Sequence, residues 1–132
     1  MSKALNNLQP FGALLMRLAL GAVMIVHGYQ KVVPHGALHH FTHYVTTLGL
    51  PYWLGYASAF TEFVGGIFLV VGLLTRLVAA LVAINMLIAL ATVGIHQGFG
   101  VYSNILVLIA LALMLLFYGA GKLALDRRLG LS

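Results

Sequence analysis

Four long apolar runs, separated by short polar breaks, dominate the chain: residues 11–33, 52–74, 76–96 and 102–121. Each is near the roughly 20 residues that a helix rising about 1.5 Å per residue needs to cross a hydrocarbon core of about 30 Å. In lipid the backbone must satisfy its own hydrogen bonds, so only helices or a closed barrel can span. A barrel would show segments of about ten residues alternating in polarity, whereas these runs are continuous and longer. The pattern predicts an all-α, integral membrane four-helix bundle. The break at residues 34–51 has its own periodicity. Between Pro34 and Pro51, Leu38, Phe41, Val45 and Leu48 recur at the spacing of one helical face, and His35, His39 and His43 stand four apart on the opposite one. This predicts a short interfacial helix over residues 35–48, between spans one and two, apolar side on the membrane and histidines in water.

Composition narrows the class. The 132 residues are 62% hydrophobic and 7% charged, too little charge to coat a water-facing surface, so residues 1–132 read as a single membrane domain. The net charge of +5 includes no basic cluster larger than Arg127 and Arg128, so no nucleic-acid partner is expected. Lys3 before an apolar stretch raises the alternative of a cleaved signal peptide. That stretch is too long, and no small-x-small site precedes His35. Cysteine is absent, which excludes disulfides, iron–sulfur clusters, Cys-type zinc sites and covalent c-type haem. Lys3, Arg17, Arg76, Lys122, Arg127 and Arg128 fall on one side of the predicted topology and Lys31 alone on the other. Both termini are therefore expected in the cytoplasm.

Polar residues inside the spans are the candidate chemistry, because an ionisable group in hydrocarbon is costly and tends to face the bundle interior. Glu62 sits mid-span, about 15 Å below the outer boundary. Gly55, Ala59, Glu62 and Gly66 share a face suited to close helix contact. Arg17, Gly21, Met24, Gly28 and Lys31 form a stripe on span one, flanked by His27. Asn85, Ala89, Thr92 and His96 form another on span three, with Asn85 at the level of Glu62. The reading is an outward-leaning pocket built from His27, Glu62, Asn85 and His96, with Gln30 and Lys31 at its rim. Glu62 is the candidate proton relay, and a buried Arg17–Glu62 pair is the candidate structural contact. The plainer alternatives are that Arg17 snorkels to the headgroups, Glu62 only pins the packing, Asn85 is interhelical glue, and Gly65, Gly66 and Gly72 are packing residues. No metal site is expected. His39 and His43 have chelating spacing, but no carboxylate or thiolate stands nearby to complete a set. A haem held by His27 and His96 would have to bridge depths differing by about 9 Å.

These residues resemble the DoxX family of small bacterial membrane proteins. The resemblance rests on Arg17-Leu18-Ala19-Leu20-Gly21 followed by His27-Gly28-Tyr29-Gln30-Lys31, then Leu48-Gly49-Leu50-Pro51, Glu62-Phe63-Val64-Gly65-Gly66, Gly72-Leu73-Leu74-Thr75-Arg76, His96, and an exit from Gly119-Ala120-Gly121 to Asp126. One departure is Asn104, where members often carry an acid. The resemblance implies a four-helix bundle in the bacterial inner membrane. Relatives include the membrane subunit of a thiosulfate:quinone oxidoreductase. On that implication the expected function is a subunit that binds quinone or anchors a redox partner, with no tightly bound cofactor of its own. His27 and Asn85 would donate to a quinone, and a partner subunit would carry the electrons. A non-catalytic scaffold in a complex or homo-oligomer, or a small-solute or proton permease, are the alternatives.

Overall fold

The structure is a computed structural model in which residues 1–131 are described. A short α1 (Ser2–Asn6) precedes the first span, α2 (Gln9–Val32). After α3 (Ala37–Thr47) come α4 (Tyr52–Val71), α5 (Thr75–Thr92), a 3-10 turn (Gly94–His96), α6 (Phe99–Tyr118) and a last short helix, α7 (Leu125–Arg128). α2, α4, α6 and the segment Thr75–His96 are long and apolar enough to cross a membrane, so the chain is a helical, multi-pass membrane bundle. The second span stops at Val71, a little short of the expected boundary. Gly72 there takes a left-handed φ of 76°, and Leu73 N–H returns to the Phe68 carbonyl at 2.9 Å, closing the helix in a glycine-terminated turn.

The bundle interior is apolar, with Leu20, Met24, Leu69, Val78, Val82, Met86, Ala112 and Leu115 in one buried cluster. α2 and α4 approach closely because glycines face each other. A Cβ on Gly21 would lie 2.8 Å from the Gly66 carbonyl, and one on Gly28 would overlap the Phe63 backbone. In lipid, where the hydrophobic effect does not drive helices together, such backbone-level contact is what holds a pair.

The α4–α5 turn is locked by two buried charges. Arg17, 1% exposed, donates to the carbonyls of Leu69 (3.3 Å), Val70 (3.4 Å) and Leu123. The first two lie in the last turn of α4, where carbonyls lack helical partners and the helix dipole is negative. Asp126, also buried, accepts from Leu74 N–H at 2.6 Å and Thr75 N–H at 2.8 Å. It thereby caps the start of α5 from a distant segment. The tail is held in place by Asp126 N–H on the Gly72 carbonyl at 2.8 Å. The end carrying this lock, with Arg76, Lys122, Arg127 and Arg128, is called the basic end below; the other is the α3 end.

Candidate functional site

Three polar side chains from three helices meet in the half of the bundle toward the α3 end. Glu62, on α4, is 2% exposed. Its Oε2 accepts from Lys31 Nζ at 2.7 Å, and its Oε1 accepts from Asn85 Nδ2 at 3.1 Å. Lys31 also lies over the Phe41 ring, 4.4 Å from its centroid, a cation–π contact that ties the cluster to α3.

The partner of Glu62 is Lys31 and not Arg17, and this corrects the expected Arg17–Glu62 pair. The reason lies in side-chain direction. A helical side chain leans toward the N-terminus of its own helix. On α2 that lean carries Arg17 toward the basic end, onto the carbonyls of α4. The same lean carries Lys31 inward from the α3 end, toward Glu62. On the antiparallel α4, Glu62 leans the opposite way and meets it.

Beside this cluster lies a cavity of about 580 Å³. α4 and α5 are in contact near the basic end, where a Cβ on Gly65 would sit 3.1 Å from Val78. The Glu62–Asn85 hydrogen bond bridges them further along, and toward the α3 end the cavity separates them. Leu54, Ala57, Ser58 and Thr61 line it from α4, and Leu81, Ile84, Ile88, Ala89 and Thr92 from α5. Its roof is α3. The periodicity alone predicts that this helix lays its apolar face on the membrane; instead Phe41, Val45 and Leu48 face the cavity. Thr42 is buried, packed so tightly on Gly55 that a Cβ there would sit 2.7 Å from its methyl. His35, His39, His40 and His43 are exposed.

The structure brings Lys31, Glu62 and Asn85 together on the cavity wall. It does not bring His27, Gln30 or His96 there. His27 is half-buried, next to Gly28, where α2 and α4 touch and leave no space between them. Gln30 is exposed. His96 leaves the Asn85–Ala89–Thr92 stripe because α5 ends at Thr92 and the chain tightens into a 3-10 turn; Gln97 lines the cavity instead. Ser58, Thr61, Phe41 and Tyr44 are wall residues that the polar-stripe reading did not single out. No group of three or more His, Asp or Glu side chains that could hold a metal ion occurs among the described residues.

The wall offers mixed chemistry in an otherwise apolar chamber. Lys31 has three N–H donors and uses one on Glu62. The amide oxygen of Asn85 is an acceptor that its bond to Glu62 leaves free, and the Ser58 and Thr61 hydroxyls can do either. Such a chamber suits a largely apolar molecule carrying oxygen substituents.

Comparison with known proteins agrees with this architecture. The chain is 32% identical over 96 residues to a Bacillus subtilis (strain 168) protein named "Putative oxidoreductase CatD", the match covering 72% of this chain and 69% of that protein. No solved structure matches it. The DoxX family model matches residues 12–95, from the first turns of α2 to the end of the third span, taking in Lys31, Glu62 and Asn85, and the chain belongs to the DoxX family.

Proposed function

We propose that the cavity binds a membrane quinone, and that the chain is a quinone-binding and partner-anchoring subunit of an oxidoreductase system in the bacterial inner membrane, both termini in the cytoplasm. The observation that carries this reading is an apolar chamber at bilayer depth with one polar wall, Lys31–Glu62–Asn85. The name of the Bacillus relative, "Putative oxidoreductase CatD", is in keeping with it. So is the gathering of Arg17, Arg76, Lys122, Arg127 and Arg128 at one end.

Each residue has a part. Lys31 presents its remaining N–H donors to a ring carbonyl. Glu62 holds that ammonium in position, and stands where a proton is needed when a carbonyl becomes a hydroxyl. Asn85 fixes the free oxygen of Glu62, so the carboxylate cannot swing away from Lys31. Phe41, Tyr44 and Leu48 cover the chamber and limit water. A bound quinone supplies two-electron, two-proton chemistry, and the electrons come from a partner protein carrying a redox centre.

The test is extraction. The protein is purified in mild detergent, its bound lipids are extracted, and quinones are quantified by chromatography with ultraviolet detection. Near-stoichiometric quinone is expected with the wild type, and a large loss with Ala89→Phe, which fills the chamber. A folded wild type that retains no quinone, and takes up none when a short-chain quinone is added, overturns the proposal.

A further inference from the structure

Part of the cavity wall reaches the bundle surface at hydrocarbon depth. Among its wall residues, Ala57 is exposed, Leu81 is 45% exposed and Ile84 is 55% exposed. All three lie on spanning helices. Ile84 is nine residues beyond Thr75, the start of α5, which puts it about 13 Å into a core of about 30 Å. At that depth the outer face of α5 borders acyl chains. These exposed wall residues flank the seam between α4 and α5, which touch at Gly65 and Val78, are tied by Glu62 and Asn85, and both line the cavity beyond. Asn85, the residue after Ile84, lines the same cavity and carries the polar wall.

From this arrangement we propose that the seam between α4 and α5 is a lateral doorway, and that the site is loaded from the bilayer by a long-tailed quinone. The head group passes between Ala57 and the Leu81–Ile84 edge to reach Asn85 and Lys31, and its isoprenoid tail stays in the seam. The inference rests on the assignment of the cavity to a quinone and adds the route and the place of the tail. The seam is apolar on both sides, which suits a hydrocarbon tail and repels a hydrated solute. A molecule of this kind is dissolved at the depth where the seam opens.

The experiment uses full-length protein in liposomes and two probes, a ubiquinone with a long isoprenoid tail delivered from donor vesicles and a tail-less dimethoxybenzoquinone added from water. Ile84→Trp and Ala57→Trp narrow the seam from opposite sides. Leu87→Trp, on the exposed face of the same helix and not on the cavity wall, is the control, and circular dichroism verifies folding. Narrowing is expected to slow uptake of the long-tailed quinone by about tenfold or more, as for a gated association step. Equilibrium binding of the tail-less probe is measured in the same variants. The doorway requires long-tailed uptake to fall at least about tenfold further than tail-less binding does, and Leu87→Trp should match the wild type in both assays. Unchanged uptake of the long-tailed probe by both seam variants, with tail-less binding intact, overturns the doorway and leaves the quinone site standing. An equal loss of both probes in both variants also overturns it, making the seam part of the binding pocket. If the wild type binds neither probe, the quinone assignment itself fails.

Discussion

Replacing Lys31 by methionine strands a carboxylate in the bundle interior. Glu62 is 2% exposed, and its two hydrogen bonds come from Lys31 at 2.7 Å and Asn85 at 3.1 Å. Methionine keeps most of the lysine stem and removes the charge, leaving the amide of Asn85 as the remaining donor. Breaking a buried ion pair from one side typically costs about 3–5 kcal/mol, because the surviving charge is uncompensated. Adding Glu62→Gln removes that charge while its amide oxygen can still accept from Asn85. The double variant is therefore expected to recover most of the loss and to lie within about 1–2 kcal/mol of the wild type. A double-mutant cycle measured by unfolding in a fixed detergent, read by circular dichroism at neutral pH, gives both numbers. If Lys31→Met is as stable as the wild type, or if the two substitutions simply add, the carboxylate is not held by this lysine and the reasoning fails.

Other outcomes follow from the same contacts. Gly28→Ala drives a methyl into the Phe63 backbone and should cost about 1–3 kcal/mol or more as overpacking. Gly12→Ala meets nothing within 4 Å and should raise stability by about 0.5–1 kcal/mol; thermal midpoints of the pair test both signs. Asp126→Ala leaves the N–H groups of Leu74 and Thr75 without their carboxylate acceptors. It should cost about 1.5–3 kcal/mol per charge-assisted bond and speed hydrogen exchange at those two amides. His27→Ala and His96→Ala, both off the cavity wall, should leave quinone binding at its wild-type level in an equilibrium titration.

The helices were legible because lipid forces a simple code: continuous apolar runs become spans, and Gly72 and Gly98 end or begin them where backbone with positive φ is needed. The Glu62–Asn85 contact was legible too, since counting residues from the span ends sets both at one level. Counting does not reveal which way a side chain leans, and it is the lean that gives Glu62 to Lys31 and not to Arg17. His96 falls off the stripe because helical periodicity holds only to Thr92, the end of α5. The roofing role of α3 was hidden for a different reason. An apolar stripe looks the same whether it rests on lipid or on protein, and nothing local in the sequence separates the two. Asp126 stood out only as part of the DoxX pattern, because its partners at Leu74 and Thr75 are some fifty residues away.

Whether the polar wall touches the ligand is decided by titrating a short-chain quinone against the wild type and the paired Lys31→Met, Glu62→Gln variant, both verified as folded. The two proteins keep nearly the same cavity volume and differ in the polar wall. Saturable binding to the wild type is expected, with a loss of about tenfold or more in the variant, roughly the 1.4 kcal/mol of one charge-assisted hydrogen bond. Equal affinity for both would contradict it, and would mean that Lys31 and Glu62 hold the helices together without touching the ligand.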